Sequence, residues 1–404
     1  MWIKRDFYDF ISHLSPQQLL PVKVLKGPRQ VGKTSLLSEF SDFKLVQLDD
    51  LATRHQANEN PRLFLEQFNL DDGAGLILDE ATLAPNLFLE LKRRVDDGRL
   101  KNRKGSMAPL LNVWITGSNQ TLLEKSVQES LAGRASYFDL NTLSIHELGK
   151  FNLQELILKG GWPELHVHPQ LSVTSYLNDL ISTFIEKDIV AAAGIERRSA
   201  FIKSMGLVAG RIGQLINYSD ISKVVGVDST TLHSWVGKME QNALVRIIPS
   251  FSSNLNQRLI KSPKIYFEDV GLACRFQGWT DFQPLFVSPS FGHIVENLIL
   301  IQILRFFQNM GQKPSVFFLR SKEKVEIDFL VELPNNRWLA VEAKTQVSSF
   351  SQKQLDLLNS CELNVVDKWI VNVTQESENL MNSNHGKNIH IKNVHEELLK
   401  IWKN

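Results

Sequence analysis

Gly27-Pro28-Arg29-Gln30-Val31-Gly32-Lys33-Thr34 fits G-x-x-x-x-G-K-[ST] at every position. An apolar run, Val22 to Leu25, precedes it, and a helix-compatible stretch, SLLSEF from Ser35, follows. A strand, a glycine-rich loop and a helix in that order wrap backbone amides around phosphate oxygens. Gly27, Pro28, Arg29, Gln30, Val31, Gly32, Lys33, Thr34 and Ser35 are therefore the candidate nucleotide-binding residues. Lys33 is placed to bridge the β and γ phosphates and Thr34 to ligate Mg²⁺, so ATP and Mg²⁺ are the expected cofactors.

A second element lies 45 residues beyond Thr34, where the apolar run Leu76-Ile77-Leu78 ends in Asp79-Glu80. Asp79 at a strand end suits the metal's water shell, and Glu80 suits orientation of an attacking water. The next apolar run, Val113 to Ile115, ends in Thr116-Gly117-Ser118-Asn119. Neighbouring parallel strands share one C-terminal edge, so Asn119 or Thr116 is a candidate sensor of the γ-phosphate; a simple turn is the competing reading. Gly133-Arg134 stands just before the run Ser136 to Leu140. Arg134 is a candidate arginine finger reaching a neighbouring subunit, or else a solvated arginine; the finger would require a homo-oligomer.

Outward from these motifs, residues 1 to about 145 alternate short apolar runs with helical stretches, the pattern of a parallel α/β sheet. The chain has 404 residues, 43% hydrophobic and 22% charged, enough to bury several cores. Lys plus Arg total 45 against 44 Asp plus Glu, so a nucleic-acid surface has to be a local patch. Two cysteines, Cys274 and Cys361, exclude a disulfide framework or a Cys-rich zinc site. The N-terminal MWIKRDFYDF carries charges where a secretory apolar region would sit, and the apolar stretch Leu298 to Leu304 is too short to span a bilayer. A cytoplasmic chain without membrane contact is expected.

GPRQVGKT, LILDEATLAPNLFLELKRRVD, ITGSN, LAGR and GGWPE, in that order, resemble prokaryotic AAA+-type ATPases. Members of that family carry a C-terminal region comprising a winged helix and a nuclease-like end. The resemblance implies an AAA+-like ATPase core over 1–148, a helical lid over 149–210 containing Gly160, Gly161 and Pro163, a winged-helix domain over 211–285, and a nuclease-like domain over 286–404. The expected fold class is α/β, with a P-loop parallel sheet followed by a restriction-endonuclease-like α/β domain.

The residues of the third block agree with this. Ser219 to Val225 suits a short helix closed by Gly226, and Ser229 to Asn242 a second helix with Leu232, Val236 and Met239 on one face. The runs LVRII and KIYF around a polar loop would form a wing. Residues 211 to 265 hold seven Lys/Arg and three Asp/Glu, consistent with phosphate contact. Thr230, Thr231, His233, Ser234 and Lys238 would face DNA if the second helix enters a groove; packing between domains is the competing use. Residues 92 to 104 hold seven basic and two acidic side chains, with Lys101, Arg103 and Lys104 expected in a loop.

The last block carries Glu296 on a helix, Asp328 in a strand, and Glu342-x-Lys344 ending the next strand. Glu342 and Lys344 share a face because strand side chains alternate, and Glu326 shares that of Asp328. Acids that hold Mg²⁺ and a lysine that stabilises developing charge are what metal-dependent phosphodiester hydrolysis requires. The order, helix, three strands, helix, strand, resembles the PD-(D/E)XK nuclease-like fold, either as a nuclease site or as a binding module that keeps the fold. Three functions compete: an ATPase acting on DNA, a nucleotide-gated switch or scaffold for a protein partner, and a metal-dependent DNA endonuclease with a regulatory ATPase.

Overall fold

A computed structural model describes residues 3–403 apart from 16–17, 106–109, 184–189, 191–194, 253–261 and 375–384. Five parallel strands form the first sheet: β1 (Val22–Lys26), β2 (Phe43–Gln47), β3 (Gly75–Asp79), β4 (Asn112–Thr116) and β5 (Ala135–Asp139), in the order β2-β3-β4-β1-β5. Its central strands are apolar without alternation because both faces are covered. On β3, Leu76 and Leu78 join a core with Leu87, Leu91 and Leu123, while Ile77 faces a second core with Leu36, Trp114 and Phe138. The sheet order puts β4 between the phosphate-loop strand and the acidic strand, so all three C-terminal ends meet at one edge.

Helices Leu153–Lys159, Pro163–Val167 and Val173–Leu180 follow the sheet. Helix Arg198–Ala209 then packs near a helix pair, Tyr218–Val225 and Ser229–Gln241. Asn217 and Asp228 cap the pair's N-termini, and Gly226 ends the first helix in the left-handed region. The antiparallel strands β6 (Val245–Ile248) and β7 (Lys264–Phe267) come next; most of the polar loop expected as a wing lies outside the described residues.

Helix Ser290–Asn309 is buried nearly all round. By length and composition it could cross a membrane, yet it runs through the core, with Ile294, Leu298, Ile301 and Phe306 packed inside. It leads to β8 (Val316–Arg320), β9 (Glu326–Leu333) and β10 (Arg337–Lys344), then helix Gln352–Asn359, β11 (Val365–Asn372) and β12 (Lys387–His390). The second sheet runs β12-β11-β10-β9-β8, antiparallel from β8 to β10 and parallel from β10 to β12. β12 is placed by parallel pairing with β11. Lys101 and Arg103, expected in a loop, lie in the last turn of the 18-residue helix Asn86–Arg103. Basic side chains there suit the negative end of the helix dipole, and Lys104 caps it.

Candidate nucleotide site and the C-terminal carboxylate cluster

The phosphate loop needs glycine at its entry. Gly27 has φ 147°, and a Cβ there would sit 1.8 Å from the Leu140 carbonyl oxygen. Gly32, at φ 87°, begins the short helix Lys33–Leu37. Lys33 Nζ donates to the carbonyls of Gly27 (2.8 Å) and Pro28 (2.7 Å), spanning the loop's mouth. Arg5, read as an ordinary N-terminal charge, braces the loop from behind. It donates to the carbonyls of Val31 and Asn141, each at 2.7 Å, and to Glu147 at 2.8 Å. The one signal for this was the capping box Ser144-x-x-Glu147, which fixes the acid that Arg5 meets.

The acidic strand end meets the loop directly. Thr34 Oγ1 donates to Asp79 Oδ2 at 2.8 Å, and Thr116 Oγ1 donates to Asp79 Oδ1. Glu80 sits in the left-handed region (φ 54°), which turns its carboxylate toward β4. There Oε2 accepts from both the backbone N–H and the hydroxyl of Ser118, each at 3.0 Å, while the Glu80 N–H donates to Thr116 Oγ1 at 3.3 Å. A cavity of about 430 Å³ opens on this cluster, lined by Gly32, Lys33, Thr34, Asp79, Glu80 and Ser118 among others. A hydroxyl and a carboxylate held 2.8 Å apart beside the loop are the hard oxygen donors Mg²⁺ favours, so these residues fit that ion.

A larger cavity of about 610 Å³ adjoins the first and shares Gln30, Gly32 and Ser35 with it. Its far wall is Pro163, Glu164, Val167 and Tyr176 from the helices after the sheet, and Val31 and Ile3 close it. The Tyr176 hydroxyl is buried there without a partner among the described residues, and burial pushes its pKa up. The space is shaped for an apolar, hydrogen-bonding group attached to what the loop holds.

Two expected site residues are engaged elsewhere. Asn119 Oδ1 accepts from Leu122 N at 2.9 Å as the cap of helix Gln120–Leu131, so that oxygen serves the turn. Arg134 precedes β5, at the sheet edge opposite the loop, and makes a bidentate pair with Asp96 at 2.8 Å on each oxygen. Its remaining nitrogen donates to the Ala132 carbonyl at 2.8 Å. In this chain the guanidinium is engaged by Asp96 at the surface.

On helix Ser229–Gln241, Thr230, His233 and Ser234 are exposed. Thr231 is spent on its cap residue, with Oγ1 2.6 Å from Asp228, and His233 packs on Tyr218 at 4.8 Å. Lys238 approaches Gln241 at 3.5 Å. The C-terminal end of this helix is docked: Gln241 meets Glu124 at 3.1 Å and Asn242 meets Thr121 at 3.2 Å. Thr230, His233, Ser234 and Gly237 face outward.

The four C-terminal candidates converge. Lys344 Nζ lies 2.8 Å from Glu342 Oε2, the Asp328 N–H donates to Glu342 Oε1 at 3.2 Å, and Ala343 N–H donates to Asp328 Oδ2 at 2.9 Å. Burial, with the Glu296 and Glu342 carboxylates nearby, pushes Asp328 well above the usual carboxylate range. Two residues missed in the sequence, Lys264 and Tyr266 on β7, also enter the cluster and engage Glu296. A second ammonium, that of Lys264, thus stands among its acids beside Lys344.

Residues 20–149 match a family described as an AAA domain. Residues 150–283 and 291–392 match two domains of unknown function, DUF8612 and DUF4143. An uncharacterized protein of Mycobacterium tuberculosis is 28% identical over 350 residues, covering 85% of this chain and 75% of that protein. An uncharacterized protein of Methanocaldococcus jannaschii is 22% identical over 358 residues, covering 80% and 75%. Among solved structures, a Walker-type ATPase of Pyrococcus abyssi aligns with a TM-score of 0.41 at 15% identity, over 67% of this chain and 95% of that one. The segment that matches the AAA domain, residues 20–149, is the one that holds the parallel sheet, the phosphate loop and the acidic strand end.

Proposed function

We propose that this chain binds ATP with Mg²⁺ and hydrolyses it. The observation that carries the reading is the continuous relay Thr34–Asp79–Thr116–Glu80–Ser118 at the edge where the phosphate loop opens. The loop amides and Lys33 would hold the phosphates, with Lys33 exchanging its two carbonyl partners for phosphate oxygens. Thr34 and Asp79 would hold Mg²⁺, which neutralises phosphate charge when bound. Glu80, aimed by Ser118, would take up the attacking water and orient it toward the γ-phosphorus. The neighbouring cavity with Tyr176 would take the adenine and ribose.

Turnover of the full chain tests this. Lys33→Ala should abolish ATP binding, and Glu80→Gln should keep binding while lowering kcat by about 10²–10⁴-fold, the usual worth of a positioned acid–base group. Unchanged turnover in Glu80→Gln removes Glu80 from the role.

The proposed task is work on DNA in the cytoplasm, supported by the exposed N-terminal half of helix Ser229–Gln241 followed by an antiparallel strand pair, the arrangement of a winged helix. Single-stranded, duplex and branched DNA added to the ATPase assay separates this from a nucleotide-gated scaffold, which would show no stimulation. A homo-oligomer with Arg134 acting across the interface would require Asp96 to release it. The endonuclease reading has less support, because Lys264 already sits among its acids.

A further inference from the structure

β7 leaves the helix-pair unit and delivers two polar side chains into the carboxylate cluster of the second sheet. Lys264 Nζ lies 3.1 Å from Glu296 Oε1 and 2.5 Å from Glu326 Oε1, with 3% of its side chain exposed. Tyr266, fully buried, donates to the same Glu296 oxygen at 2.5 Å. The other acids have partners too: Glu326 Oε2 meets Arg320 at 3.0 Å, Glu342 holds Lys344, and Asp328 accepts from the Ala343 N–H. Four carboxylates thus face three fixed cations, Lys264, Lys344 and Arg320, supplied by the chain itself.

A hard divalent ion needs several oxygens turned toward one point and must displace whatever they now hold. Taking Glu296 Oε1 here means breaking contacts from both Lys264 and Tyr266 and leaving a buried ammonium with Glu326 as its one remaining acid, which is the costly direction. Nor is β7 a loose strap. Just beyond it Glu268 meets Arg246 at 2.7 Å and Arg305 at 2.8 Å, and Asp269 accepts from Gly161 N at 2.8 Å and Trp162 Nε1 at 3.1 Å. The strand that carries Lys264 is therefore anchored to the turn after the nucleotide domain.

We propose that Lys264 is the resident cation of this cluster, which acts as an ionic joint between the helix-pair unit and the second sheet and takes no divalent metal while β7 is seated. The proposal is independent of the ATPase reading, because none of these side chains lines the cavities at the phosphate loop.

Mn²⁺ binding, followed by electron paramagnetic resonance and by thermal melting of the full chain without nucleotide, tests it. Wild type and Asp328→Asn should bind Mn²⁺ equally, with melting temperatures that Mn²⁺ shifts by the same amount. Lys264→Met should melt lower than wild type and gain a Mn²⁺ site that raises its melting temperature, a gain lost in Lys264→Met/Asp328→Asn. Lys264→Arg, which keeps the charge, should respond to Mn²⁺ as wild type does. A Mn²⁺ site in wild type that Asp328→Asn removes overturns the proposal, and so does a folded Lys264→Met that gains none. If Lys264→Met does not fold, the comparison of wild type with Asp328→Asn decides alone.

Discussion

Ser118 shows how one side chain sets another's aim. Its hydroxyl and its backbone N–H both grip Glu80 Oε2, each at 3.0 Å, so Ser118→Ala removes one of two donors and leaves the other. Losing one such bond to a carboxylate is worth about 1.5 kcal/mol, or about tenfold in rate. Ser118→Ala should therefore lower kcat about tenfold with KM for ATP unchanged, a smaller loss than in Glu80→Gln. A rise in KM at constant kcat would mean that Ser118 binds nucleotide instead of positioning Glu80. Thr116 does related work on Asp79: wholly buried, it donates to that carboxylate and accepts from the Glu80 N–H, which uses both capacities of its hydroxyl.

At the level of elements, helix Val270–Gln277 packs against the end of helix Leu153–Lys159 with no room for a side chain at the crossing. A Cβ on Gly271 would lie 2.5 Å from the backbone nitrogen of Gly160 and from the carbonyl carbon of Lys159. Both obstacles are backbone and cannot rotate away. Gly271→Ala should cost about 1–3 kcal/mol by overpacking, seen as a lowered denaturation midpoint. It should also loosen Trp162, whose indole N–H donates to Asp269 one residue after β7's Phe267-Glu268 exit, and near-ultraviolet circular dichroism would report that change. An unaltered midpoint would show that the helices can slide apart.

Across the whole molecule, the two ends of the chain meet at the nucleotide domain. The imidazoles of His146 and His395 stack with centroids 3.7 Å apart, and Asp6 Oδ2 lies 2.8 Å from His146 Nδ1 and 3.8 Å from His395 Nδ1. Glu147 and Glu396 also face the pair, and Phe306 packs edge-on to His395. The hydrogen bond to Asp6 raises His146 above its ordinary 6.5, so its contribution is complete below that pH and lost as pH rises through the folded value. Burial, then the His146 charge, lowers His395 below 6.5, so its contribution is complete above that pH and lost as pH falls through the folded value. Melting temperature against pH should show His146→Gln losing the alkaline-side decline and His395→Gln losing the acid-side one. Identical profiles in wild type and both variants would mean that the pair does not hold the C-terminal helix Val394–Lys403 in place.

By itself the sequence determined the strands of the first sheet, the phosphate loop and the acidic strand end. Each is written in contiguous residues: GLILD is an unbroken apolar run ending in an acid, and GPRQVGKT carries its glycines and lysine in one eight-residue stretch. The side-chain partners were decided only by the tertiary structure. Nothing near Arg134 in the chain announces Asp96, 38 residues away, and nothing near Glu296 announces Lys264, 32 residues earlier in another unit. The order β2-β3-β4-β1-β5 brings Thr116 to Asp79 although 37 residues separate them. Local pattern encodes what a segment becomes, whereas ion pairs and hydrogen bonds depend on distances through space, which sheet order and domain docking set.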